Sequence, residues 1–214
     1  GGIEKVGTVV EQWFRGTLAS LAPATVELVT LAALRVGIAA SGILPDDVAL
    51  TLARLTRWLT SAGATVVLPD KGPLLDSQIY VEETFLKGRP SATLAHGATA
   101  MGTGCFVMET PTAHWTENLT GLGAAGTEMV LVHVSEHPMQ GHPLVPLAQV
   151  SAAPRIQEIY SDDLDLMLTG PTCKWTQALL DLLVGVGSRC HSVRAMTQEN
   201  TDFQLTRGSL GVSM

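Results

Sequence analysis

The chain has 214 residues and a mass of 22.6 kDa, the size of one domain or at most two small ones. Apolar residues are 46% of it and charged residues 15%, against about 25% charged in an ordinary soluble domain, which excludes intrinsic disorder. Lys and Arg number 13 and Asp and Glu 20, for a net charge of −7 with no basic run, so neither nucleic acid nor an anionic membrane surface is an expected partner.

Glu4 to Leu21 carries Val6, Val9, Val10, Trp13, Phe14, Leu18 and Leu21 at helical spacing, and Pro23 ends it. Ala33 to Ala40 is a short apolar run closed by Ser41-Gly42, the pattern of a buried strand. Pro45-Asp46-Asp47 reads as a helix start, with acidic residues in the first turn, and the helix runs through Leu50, Leu52, Leu55 and Leu59 to Gly63. Ala64 to Leu68 is a second strand, closed by Pro69-Asp70, so the three elements form a βαβ unit. Gln78 to Leu86 is an expected helix, and Lys87 to Thr103 an expected loop with room for a short helix. Cys105 to Glu109 is a third strand, Trp115 to Ala125 a helix, and Glu128 to Val134 a fourth strand. Val145 to Ser151 and Leu164 to Leu168 are a fifth and a sixth, Trp175 to Val186 is a strongly apolar helix, and Arg194 to Thr201 has helical character. The alternation predicts one α/β domain across the whole chain, a mainly parallel sheet with flanking helices in Rossmann-like layers.

No apolar stretch reaches the roughly 18 uninterrupted residues of a membrane span; Leu28 to Ala40 comes nearest, and Thr30 and Arg35 break it. The low charge instead predicts a large core and some surface covered by a copy of the chain or a partner subunit. Cys105, Cys173 and Cys190 are odd in number and lack a Cys-x-x-Cys pair. They read as reduced thiols of a cytoplasmic protein, with no disulfide framework and no Cys-rich zinc site. The amino terminus lacks the basic and apolar regions of a secretory leader, and its start at Gly1-Gly2-Ile3 fits a piece of a longer protein.

Ligands of open parallel sheets bind beyond the carboxyl ends of the strands. That rule selects Ala40-Ser41-Gly42, the segment Glu109 to His114, and the loop His133 to His142. The loop holds His133, His137 and His142 around Glu136, and four of the six histidines lie between positions 114 and 142. Imidazole and carboxylate suit a divalent transition metal or acid–base work; the alternative is a polar loop whose histidines make ordinary hydrogen bonds. After the third strand, Thr112 or Thr116 can cap a helix whose free N–H groups hold an anion. Glu109, His114 and Glu117 can act there as acid, base or ligand; the alternative is a solvated His114 and a Glu117 that complements the helix dipole. The glycines of positions 102–105 and 121–126 do not follow a strand as a dinucleotide fingerprint requires, so no nucleotide is expected.

Several segments in order then resemble a known family. ELVTLAALRVGIAASG resembles a strand leading into a Cys-Gly-Gly-Ser-Asp turn, and LTRWLTSAGATVVLPDKGPLL the helix and strand after it. METPTAHWTENLTGLGAAGTEMVLVHV resembles a Met-Asp-Thr-Pro-Gly-His-Asp turn with its helix and next strand. HPMQGHPLVPLAQVSA and SDDLDLMLTG resemble segments that carry Thr-Gly-Arg-Gly and Asp-Ile-Asn-Ala-Gly. With IEKVGTVVEQ and the DFQLTRGSLGVSM tail, the set resembles the C-terminal catalytic portion of the altronate/galactarate dehydratase family, which includes sulfolactate sulfo-lyase large subunits.

The resemblance implies a hydro-lyase that removes water from a hydroxy-carboxylic acid with a divalent metal (Fe2+, Mn2+ or Mg2+). It implies catalytic roles for Glu109, His114 and Glu117, and substrate contacts at Ser41, Gly42, Thr110 and Thr112. The expected metal ligands are His133, His137 and His142. The family's Cys is replaced near Ala40, its arginine is absent around Ser135-Glu136-His137, and its Asn is replaced near Met167. Losing an arginine that can grip a carboxylate bidentately predicts altered chemistry. The expected alternatives are a non-catalytic relative that binds a small carboxylate or metal, and a subunit that needs a separate N-terminal half.

Overall fold

The computed structural model describes residues 29–86 and 93–202. Seven strands form one parallel sheet: β1 (Arg35–Ser41), β2 (Thr65–Pro69), β3 (Thr93–Leu94), β4 (Gly104–Met108), β5 (Met129–Val134), β6 (Leu147–Ser151) and β7 (Leu166–Met167). Their order is β3-β4-β2-β1-β5-β6-β7, and every pairing is parallel. The helices are α1 (Asp46–Ser61), α2 (Pro73–Asp76), α3 (Gln78–Phe85), α4 (Trp115–Ala124), α5 (Pro154–Ile159), α6 (Trp175–Gly187) and α7 (Arg194–Thr197). The α/β class, the parallel sheet and the flanking helices are those the alternation predicts.

The strand order turns back at β1. From β1 the chain steps outward through β2 to β4, then crosses back to lay β5 on the other side of β1. Crossovers of one hand in opposite directions put their helices on opposite faces of a sheet. Val36, Ile38, Leu131 and Val150 therefore share a core with Leu52, Leu55 and Leu59 of α1 and Leu179 and Leu183 of α6. Ala39, Val67, Val130 and Val132 share a second core with Leu119 and Leu122 of α4 and Ile156 of α5. Each fully buried leucine contributes about 1.5–3 kcal/mol relative to leaving it in water.

Local chemistry explains the boundaries. Asp46 and Asp47 in the first turn of α1 favour its start, and Gly63, at φ +93°, turns the chain out while the Ala64 N–H returns to the Leu59 carbonyl at 2.9 Å. The glycines on α4 permit close packing, since a Cβ at Gly123 would stand 2.8 Å from Val145 and one at Gly121 would overlap the His96 ring. At the amino end of the sheet Arg35 fastens two loops: its Nε donates to the Gly126 carbonyl and its Nη2 to the Ala100 carbonyl, both at 2.7 Å.

Several boundaries differ from the sequence expectation. The first strand begins at Arg35, because Leu31–Ala33 forms a 3-10 turn. The loop expected over Lys87–Thr103 contributes β3 beside β4, and the sixth expected strand shrinks to Leu166–Met167. These two-residue edge strands exist through pairing, which no local pattern announces. The last helix spans only Arg194–Thr197, and α2 and α5, each begun by a proline, were not expected. The helix expected over Glu4–Leu21, and the tail from Phe203, lie outside the described residues. Among the described residues no helix is long and apolar enough to cross a membrane.

Candidate functional site

A crevice of about 260 Å³ opens beyond the carboxyl end of β1, where the strand order reverses. Ala39, Ala40, Ser41 and Gly42 form its floor. The turn after β2 supplies one wall with Pro69, Lys71 and Pro73, and the start of α4 supplies another with Trp115, Asn118 and Leu122. Met139, from the connection between β5 and β6, closes it. Open parallel sheets place ligands at this position because there the adjacent connections leave β1 in opposite directions and part to leave a gap. The volume lies below the roughly 300–1,000 Å³ of sites for drug-sized ligands, so the crevice fits a small molecule.

Gly42 is the seam of the floor. Its φ is +74°, and a Cβ there would overlap the Ser135 hydroxyl and stand 2.9 Å from Cγ of Glu136. Glycine is required on both counts. The Ser135 hydroxyl in turn donates to the Ser41 carbonyl at 3.3 Å, tying the end of β1 to the end of β5.

On the β2–β4 side a set of turns is pinned by short hydrogen bonds. The Asp70 carboxylate accepts from both the Thr110 N–H, at 2.8 Å, and the Thr110 hydroxyl. Lys71 donates to the Thr110 carbonyl at 2.8 Å, and among the described residues that is its one hydrogen bond. An ammonium has three N–H donors, so two are left for water or a ligand. The Thr112 hydroxyl donates to Oε2 of Glu117 at 2.5 Å and accepts from the His114 N–H at 3.1 Å. Glu117 is buried in the first turn of α4, where the helix dipole favours its charge. The helix itself starts at His114 without a side-chain cap. Asn118 Nδ2 donates to the Thr112 carbonyl at 3.1 Å, but its buried Oδ1 has no partner.

On the β5–β6 side buried polar groups hold the backbone. Gln149 accepts from the Met139 N–H at 2.6 Å and so sets the residue that closes the crevice. The Asp165 carboxylate, fully buried, accepts from the backbone N–H groups of Gln149 (2.8 Å) and Arg194 (2.9 Å), and lies 3.1 Å from Nε2 of His191.

The expected site residues divide. Ser41 and Gly42 line the crevice, and Thr110, Thr112 and Glu117 form the network beneath its rim. Glu109 and His114 are exposed and do not line it. The three histidines do not converge. His133 sits on β5 in register with Ala40, on the face of Leu131 that packs against α1 and α6 rather than α4. It is fully buried; burial pushes its pKa down to about 4, with Asp47 acting weakly in the opposite direction. Its Nε2 accepts from the Ala152 N–H at 3.4 Å and its Nδ1 has no partner. His137 is exposed. His142 is buried, its Nδ1 accepts from the Leu144 N–H at 3.1 Å, and burial lowers its pKa. Among the described residues no three His, Cys, Asp or Glu side chains gather to hold a metal ion, and His133, His137 and His142 do not form one donor set.

Asp70, Lys71, Asn118, Gln149 and Asp165 are the residues that sequence reasoning missed. The signal for Asp70 and Lys71 was present: they follow a strand, and the strand-end rule applies to β2 as much as to β1, β4 and β5. Comparison with protein-family profiles and with curated proteins finds no match.

Proposed function

We propose that the chain binds a small hydroxy-carboxylic acid in the crevice beyond β1. One observation carries this reading: Lys71, the crevice's charged lining residue, has two N–H donors left after its one hydrogen bond, and it lines the crevice together with residues at the uncapped start of α4 and with Asn118, whose buried Oδ1 has no partner. A carboxylate suits the ammonium and the helix start, and a hydroxyl suits the amide oxygen. Titration calorimetry with a panel of 2-hydroxy acids tests it. Binding that falls at least about tenfold in Lys71→Met is the expected result, from loss of a charged hydrogen bond. A panel in which no acid binds overturns the reading.

The hydro-lyase activity of the altronate/galactarate dehydratase family rests on the segment resemblance and is the catalytic form of the same proposal. Glu117, one residue before Asn118, and His114, between Ala113 and Trp115, are acid–base candidates that adjoin lining residues in the chain. Appearance of a 2-keto-3-deoxy acid from an aldonate or aldarate, in the presence of Mg2+, Mn2+ or Fe2+, tests it. The binding-only reading is favoured by the lining itself, which holds no carboxylate and no imidazole among the described residues.

Three free thiols support a cytoplasmic location. Ile43, Met101 and Leu144, each at least 70% exposed, support association with a second copy or a partner subunit.

A further inference from the structure

The lining that accepts a carboxylate is poorly matched to a sugar acid. Lys71 is the charged side chain that lines the crevice among the described residues, so a second carboxylate meets no cation there. It would instead approach Glu136, which packs across Gly42. A dicarboxylic acid thus loses water around one charge without gaining a partner.

Hydroxyl groups fare little better. Besides Lys71, the polar side chains that line the gap are Ser41 and Asn118, and Asn118 commits one of its two amide N–H donors to the Thr112 carbonyl. A polyol chain with four or five hydroxyls leaves most of them unpaired. Each unpaired hydroxyl costs on the order of tenfold in affinity.

The remaining walls are apolar: Ala39, Ala40, Leu122, Met139 and the ring of Trp115. The Trp115 indole N–H is committed to the Gln140 carbonyl at 2.7 Å, so the indole offers a ligand its ring and no donor. Met139 is an unbranched, polarizable side chain that adapts to an apolar shape. The bond from its N–H to Gln149 sets its backbone, and its partly buried side chain packs against the core beside the crevice.

We infer that the crevice selects a monocarboxylate with an apolar body, a short branched-chain or aryl 2-hydroxy acid, over polyhydroxylated and dicarboxylic acids. The single carboxylate sits on Lys71, the 2-hydroxyl pairs with the Asn118 side-chain amide, and the aliphatic or aromatic body fills the space between Trp115 and Met139. This inference rests on the binding proposal above and narrows its ligand class, away from that of the family the segments resemble.

The test is a paired calorimetric titration of the full chain with phenyllactate and 2-hydroxyisocaproate on one side and gluconate and galactarate on the other, at matched ionic strength. The expected result is binding of the apolar acids at least about tenfold tighter. Met139→Gln is expected to narrow that gap, and Lys71→Met to weaken the binding of phenyllactate at least about tenfold. Equal or tighter binding of gluconate or galactarate overturns the ligand class and leaves the binding proposal standing. Phenyllactate binding undiminished by Lys71→Met places the ligand elsewhere and overturns the inference. Absence of binding by all four acids overturns both proposals.

Discussion

The two sides of the crevice are built from the same kinds of residue and use them differently. On the β5–β6 side the polar groups are spent on the protein's own backbone: Asp165 takes two N–H groups, and Gln149 takes that of Met139. On the β2–β4 side the turns are pinned as firmly, yet Lys71 keeps two donors open and Oδ1 of Asn118 lacks a partner. A buried polar group without a partner costs about 1–3 kcal/mol. Oδ1 of Asn118 belongs to a crevice-lining residue, whereas the unpartnered Nδ1 of His133 lies on the opposite face of the sheet. The contrast teaches that one side is a brace and the other a receiver.

The largest expected effect strikes the brace. Asp165→Ala strands the N–H group of the buried Gln149, takes the acceptor from that of Arg194, and leaves His191 without its partner. Chemical denaturation should show a loss of about 3–4 kcal/mol. A loss under about 1 kcal/mol would show that these groups find water instead, and the contrast between the sides would collapse.

Acid should weaken the same side next. Burial holds the pKa of His133 near 4, below its ordinary value of 6.5. Between those values the unfolded chain binds a proton that the native protein does not, so stability is lost as pH falls from about 6.5 toward 4 and is fully present above that window. The shift corresponds to about 3 kcal/mol at most. Denaturation midpoints measured across that window, with His133→Leu as the reference, should show the variant losing this part of the acid dependence.

Gly42 joins the two sides. Gly42→Ala forces a Cβ into the left-handed region and against Ser135 and Glu136. It is expected to cost about 1–2 kcal/mol in stability and to weaken acid binding together with it. A variant with full affinity would show that the floor of the crevice is not where the ligand lies.

The smallest effect on stability belongs to the receiver. Lys71 is exposed and makes one hydrogen bond, so Lys71→Met should change the unfolding free energy by no more than about 0.5 kcal/mol while removing the carboxylate affinity. A variant that loses affinity and stability in parallel would make Lys71 part of the brace.

Much of the fold was legible in the chain, and less of the site. MVLVHV at Met129–Val134 announces a strand buried on both faces. Its period of two also places Met129, Leu131 and His133 on one face, and this signal separates His133 from the face that α4 covers. Lys71 in a Pro-Asp-Lys-Gly turn looks like any solvated lysine; only the neighbouring of β1 and β2 brings that turn over the end of β1. Asp165 and Gln149 lie sixteen positions apart in unremarkable surroundings, and the pairing of β6 with β7 is what joins them.

By itself the sequence determined the α/β class, the central strands and helices, and the seams at Ser41-Gly42 and Glu109-Thr110. These depend on periodicity and turn chemistry within windows of a few residues. The tertiary structure alone decided the strand order, and through it which side chains meet at the carboxyl edge. It spent Asp165 and Gln149 on the backbone, brought Lys71 over the end of β1, and left Oδ1 of Asn118 without a partner. The physical reason is that strand pairing joins residues distant in the chain, and a polar group's role depends on which partner that pairing supplies.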